Sequence, residues 1–141
     1  MRRIVVVFIL SLLMAGHFEA LADEGSIKAK PNQVTVRLSE YKFEPAQIIL
    51  KSSEPSELIL INEGTVLHEF VTDAIKNMDV DVEINGVVAE TNGLAELEIP
   101  PKTKAILRFT PKKSGAFFFV CDAKEPKDHS KEGMIGKLIF K

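Results

Sequence analysis

Cys121, His129 and Met134 stand eight and five residues apart near the C-terminus, in GAFFFVCDAKEPKDHSKEGMIGKLIFK, residues 115–141. A thiolate, an imidazole and a thioether along one loop between two apolar segments are ligand types that copper favours. A fourth ligand has to come from elsewhere in the chain. The sequence holds three histidines, His17, His68 and His129, and His17 lies in an N-terminal leader, so His68 is the candidate. Each residue alone has a plainer reading. Cys121 is a small core residue at the end of an apolar strand, His68 a core histidine, Met134 packing and His129 a surface residue. Their conjunction points to metal, because it joins both histidines beyond the leader, the only cysteine, and one of the two later methionines. Two imidazoles, a thiolate and a weak axial methionine form the blue-copper set used for electron transfer.

The leader changes how the rest is counted. Met1-Arg2-Arg3 is a basic start, Ile4 to Ala15 is apolar except for Ser11, and Ala20-Leu21-Ala22 supplies the small residues of a cleavage site. This is the pattern of a secretory signal peptide, residues 1–22, cleaved after Ala22 and leading to the periplasm or the exterior. The run is shorter than the roughly 20 apolar residues of a spanning helix, so the mature protein is not expected to span a membrane. Residues 23–141 then form a mature chain of 119 residues, enough for a single domain with its own core. Without Arg2, Arg3 and Glu19, 16 basic residues face 19 acidic ones, a balance that does not suit nucleic acid. One cysteine in an exported protein has no internal disulfide partner, which leaves metal binding, intermolecular pairing or inert burial.

The elements that position these side chains are short strands. Residues 23–32 are a polar lead-in, and residues 33–141 form the domain. Val34, Val36 and Leu38 alternate with polar residues, and Tyr41 and Phe43 extend that face as far as Pro45. Further strands are predicted at Gln47–Leu50, Leu58–Ile61 and Leu67–Val71, and a single helical turn at Thr72–Met78. Asp79 to Ile84 alternates strictly and meets Asn85-Gly86, the strongest short-range hairpin signal. Strands are also predicted at Leu94–Ile99, Ala105–Phe109, Ala116–Cys121 and Ile135–Phe140. The pleat puts Phe117, Phe119 and Cys121 on one face and Phe118 and Val120 on the other. The fold class is all-β, an antiparallel sandwich of about eight strands with a β-hairpin insertion at Asp79–Val88.

Three segments carry a family resemblance. Tyr41-Lys42-Phe43-Glu44-Pro45 with Ile48 resembles an early strand pair of the cupredoxins, the plastocyanin and azurin superfamily. Asn62-x-Gly64-x-x-x-His68-x-Phe70 resembles their first-ligand segment. Phe119-x-Cys121, His129 and Gly133-Met134-x-Gly136 resemble the closing ligand loop. The resemblance implies a Greek-key sandwich and one Cu(I)/Cu(II) ion bound by His68, Cys121, His129 and Met134. It also implies a monomeric, non-enzymatic electron carrier acting between donor and acceptor redox proteins. Two features depart from the pattern. The gap between Cys121 and His129 holds a charged insert, Lys124 to Asp128, and Glu69 stands where plastocyanin and azurin carry asparagine. They keep two rivals open, a copper-delivery protein without electron transfer and a metal-free interaction domain. Additional copper sites, as in oxidases and nitrite reductases, would need ligands that this chain lacks.

Overall fold

A computed structural model of the protein describes residues 32–141. The predicted signal peptide and the lead-in up to residue 31 lie outside the described residues. Alternation of apolar and polar side chains sets the strands. In β1 (Asn32–Ser39) Val36 and Leu38 turn inward and are fully buried, while Thr35 and Arg37 face out. The same alternation runs through β4 (Ser56–Asn62), where Ser56, Leu58, Leu60 and Asn62 are buried. The remaining strands are β2 (Lys42–Glu44), β3 (Gln47–Leu50), β5 (His68–Thr72), β6 (Asp79–Ile84), β7 (Val87–Asn92), β8 (Glu96–Ile99), β9 (Lys104–Phe109), β10 (Gly115–Val120) and β11 (Ile135–Phe140).

They form two sheets, ordered β2-β1-β4-β9-β6-β7 and β3-β11-β10-β5-β8. Leu38, Leu58, Leu60 and Leu107 of the first and Ile48, Phe70, Phe119, Leu138 and Phe140 of the second belong to one buried core. Phe119 anchors it, with its ring 4.8 Å from that of Phe43 and 5.1 Å from that of Phe70. Neighbours out of chain order in both sheets give the crossovers of a Greek-key sandwich. The expected sandwich is present, with eleven strands among the described residues, and its sheets are mixed. β1 runs parallel to β4, with Val36 opposite Leu60, and β3 parallel to β11, with Ile48 opposite Leu138. Alternation marks a strand and its buried face but carries no information on direction, so parallel pairs were not readable.

The predicted hairpin is β6 and β7, closing at Ile84 opposite Val87. Asn85 and Gly86 both have positive φ, 52° and 78°, as a type I′ turn requires. The hairpin extends the first sheet beyond β9, and Arg108 ties it there by bridging Glu83 on β6 to Glu57 on β4. The expected helical turn at Thr72–Met78 is instead a run of turns. Ala74 N–H donates to Thr72 Oγ1, and the Ile75 carbonyl accepts from both Met78 and Leu94. The bond from Leu94, which follows Asn92-Gly93, thus takes a carbonyl that a continuing helix would use internally.

Gly136 shows how closely the second sheet is packed. It pairs with Phe119 in register, and a Cβ on it would lie 2.1 Å from Phe119 Cζ and 2.7 Å from the Ala46 carbonyl oxygen. Gly136→Ala is therefore expected to lower unfolding free energy by about 1–3 kcal/mol, the usual cost of overpacking. Urea denaturation of the two proteins measures this directly, and an unchanged midpoint would refute the packing argument.

Candidate metal centre

His68 enters the site as the first residue of β5, opposite Ile99 on β8. The loop before it is held by Asn62, which is fully buried. Its amide donates to the carbonyls of Val66 and Ile99, and its Oδ1 accepts from Gly64 N–H. One side chain thus replaces three backbone partners that a short loop lacks. Cys121 follows the last residue of β10, and its N–H continues the ladder to the Met134 carbonyl at 3.0 Å. Met134 N–H donates to His129 O at 3.0 Å, and His129 N–H to Ala123 O at 2.9 Å. Main-chain bonds therefore lock Cys121, His129 and Met134 together.

The charged insert between Cys121 and His129 is ordered by its own charges. Lys124 pairs with Asp122 and Asp128, and Asp128 accepts from Ser130 Oγ and Lys131 N–H. Those hydrogen bonds, led by Ser130, hold the Asp128 carboxyl far below the usual range. The insert also supplies the Glu125 carbonyl, 3.0 Å from His129 Nε2. A carbonyl only accepts, so Nε2 carries the proton and Nδ1 presents a lone pair. Tyr41 packs edge-on against the His129 ring at 5.2 Å, with Lys127 over the tyrosine.

His68, Cys121 and His129 converge, and with Met134 they are fully buried. The two Nδ1 atoms are 3.2 Å apart, Cys121 Sγ is 3.2 Å from His129 Nδ1, and it is 3.8 Å from His68 Nδ1. A point equidistant from the three atoms of that triangle lies about 2.0 Å from each, close to a metal–imidazole bond. The donor set therefore fits a metal ion. Glu69 N–H donates to Sγ at 3.2 Å, so the main-chain link between β5 and the cysteine is made although residue 69 is not asparagine. Burial raises the Cys121 thiol pKa, against the opposing effect of the Glu69 and Ala123 amides. Burial, then the neighbouring His129, pushes the His68 imidazole down. The Glu69 side chain points to the opposite face of its strand, where it meets Glu96 and Glu98. There its carboxyl is raised by burial and then by Glu96 and Asp122.

All four residues singled out from sequence thus lie at one end of the sandwich, three of them with donor atoms in mutual reach. Sequence reading missed the support around His68 that Glu40 and Asn62 provide, and the cover from Tyr41. The Asn62-x-Gly64 spacing was a signal for the second of these, while Glu40 had none.

Gly64 packs against His68, and a Cβ there would lie 2.9 Å from His68 Nε2. Gly64→Ala is expected to displace the imidazole and lower metal affinity about 10- to 100-fold, as loss of ligand support typically does. Chelator-competition titration checks this, and undiminished affinity would refute it. A second expectation concerns pH. The folded metal-free protein keeps His68 neutral below its ordinary value of 6.5, whereas the unfolded chain takes up a proton there. The unfolded state binds more protons, so stability falls as pH drops from 6.5 towards the folded value. Denaturant midpoints of the metal-free protein across that window should fall, and His68→Gln should flatten the slope.

A family model described as a cupredoxin-like domain matches residues 3–139. No curated protein matches. Among solved structures, auracyanin B is 19% identical with a TM-score of 0.55, covering 79% of this chain and 91% of that one. The auracyanin of the photosynthetic bacterium Roseiflexus castenholzii, in its dithionite-reduced form, is 17% identical with a TM-score of 0.56 and coverages of 78% and 97%. Copper nitrite reductase of Nitrosomonas europaea is 14% identical with a TM-score of 0.61, covering 84% of this chain and 52% of that one. At such identities the likeness is one of fold. Within that fold, His68, Cys121, His129 and Met134 have the pattern of a type 1 copper site. A match along nearly the whole chain makes this protein a member of the cupredoxin-like family.

Proposed function

We propose that the protein is an exported one-electron carrier in which His68, Cys121 and His129 would hold a single copper ion, with the Met134 thioether as a fourth, weaker ligand. The observation that carries this reading is the closed triangle of two imidazole nitrogens and a sulfur, sealed from solvent. Bound copper supplies a reversible Cu(I)/Cu(II) couple. The chain's own residues supply a fixed geometry. The hydrogen bonds from Met134 to His129 and from Cys121 to Met134, with the Asn62 brace behind His68, resist rearrangement of the donors when the metal's charge changes. The Glu69 amide draws charge from the sulfur, and the buried Phe119 and Phe70 keep water away.

Some structural neighbours are multicopper oxidases and a nitrite reductase, which this chain matches over part of their length. Here both histidines after residue 22 fall in one centre, which leaves none in residues 23–141 from which to build a second. A carrier is therefore favoured over an enzyme. The complete burial of the four side chains also favours a resident metal over one that is handed on. Among the described residues no helix is long and apolar enough to cross a membrane. Export rests on the sequence of residues 1–22, and the partners are proposed to be redox proteins.

Loading the mature protein with Cu(II) should give an intense visible thiolate-to-copper band that Cys121→Ser abolishes. A copper complex without that band, or one that keeps it in the serine variant, would overturn the reading. Met134→Leu should retain copper and raise the reduction potential in voltammetry, since a weak soft ligand is lost while the strong set of three remains.

A further inference from the structure

Among the described residues, His68 Nε2 is the one buried side-chain nitrogen or oxygen without a hydrogen-bond partner. A buried polar atom without a partner is destabilising, so its surroundings call for an explanation. They are set by Gly64. The three heavy atoms nearest to the point where a Gly64 Cβ would sit are His68 Nε2 at 2.9 Å, Glu40 Oε1 at 3.0 Å and Asn62 Oδ1 at 3.1 Å. Glu40 comes from the turn after β1, and one of its oxygens is pinned by both Thr65 N–H at 2.5 Å and Thr65 Oγ1 at 2.8 Å. A carboxylate from a distant turn is thereby held behind the imidazole, across a residue with no side chain. Asn62 Oδ1 already accepts from Gly64 N–H. Both neighbouring oxygens are acceptors, which favours a proton on Nε2 over a lone pair there.

We infer that Glu40 is a positioning residue for His68, keeping the imidazole proton on Nε2 and placing a fixed negative charge behind the metal-facing Nδ1. This rests on the reading of His68 as a copper ligand. Partners behind a metal-bound histidine fix its tautomer and raise its donor strength; Glu40 acts here through its charge across Gly64, since no hydrogen bond reaches Nε2. The Thr65 amide leads the hydrogen bonds that hold the Glu40 carboxyl at about 2, so the charge is present at neutral pH. A nearby negative charge stabilises the doubly charged ion more than the singly charged one. Glu40 therefore biases the site towards Cu(II) and lowers its reduction potential.

Glu40→Gln tests this in the mature protein, because it keeps the shape and an oxygen for Thr65 while removing the charge. Cu(I) and Cu(II) affinities measured by chelator competition should show the Cu(II)-to-Cu(I) ratio falling about tenfold, which corresponds to a potential about 59 mV higher. The metal-free wild type offers a separate readout. Long-range 1H–15N spectra should place the His68 proton on Nε2, and Glu40→Ala should move part of the population to Nδ1. An unchanged affinity ratio in Glu40→Gln, with only a lower unfolding midpoint in Glu40→Ala, would reduce Glu40 to a staple for the Thr65 loop and overturn the inference. A wild-type proton found on Nδ1 would overturn it as well. Failure of this kind leaves wild-type copper binding intact, whereas a wild type that takes up no copper overturns the ligand reading itself.

Discussion

Two imidazole nitrogens and a sulfur are held within 4 Å of one another, away from water, in an arrangement that offers all three to a single ion. The rest of the fold can be understood as the frame that imposes this arrangement. Each donor arrives on a backbone whose hydrogen bonds are already satisfied by something other than the metal. β5 is registered against β8, the Cys121 amide continues the β10–β11 ladder, and His129 is bonded through its main chain to Ala123 and Met134. Folding energy drawn from the phenylalanine core is thus available to hold ligands in place, and the polar atoms pay no penalty for a loose loop.

The charged insert between Cys121 and His129 illustrates the same logic. A run of lysines and acids in a ligand loop suggests solvated slack, yet its ion pairs fold it back over the second histidine. Its Glu125 carbonyl then orients the ring. The loop therefore supplies a function that a shorter connection would have to find elsewhere. Its Lys127 lies over Tyr41, whose ring covers His129, so this end of the molecule differs from an open apolar docking surface. The β6–β7 hairpin is likewise less free than its acidic pattern suggests, since Glu83 is engaged by Arg108 within the sheet.

Glu69 shows how a substitution in a motif can be neutral for geometry. What reaches the sulfur at this position is the main-chain N–H, which every residue but proline provides. The glutamate side chain points to the other face of β5, towards Glu96 and Glu98. A sequence comparison by side-chain identity flags the departure, while the pleat shows that it falls on the side away from the donors.

The sequence by itself determined the strands, the hairpin turn at Asn85-Gly86 and the four side chains suited to copper, because these depend on local alternation and on residue chemistry. Their rarity made the site legible, with one cysteine and two histidines after residue 22. Tertiary structure decided what depends on distance across the chain. The parallel pairings of β1 with β4 and β3 with β11 are not encoded by period-two alternation, which is the same for either direction. The failure of Thr72–Met78 to form a helical turn followed from bonds to residues 93–94. The placement of Glu40 behind His68, 28 positions away in sequence, required the first turn and the Thr65 loop to meet. A glutamate in a polar turn carries no local mark of such a role, because only the packed sheets bring its charge to the imidazole.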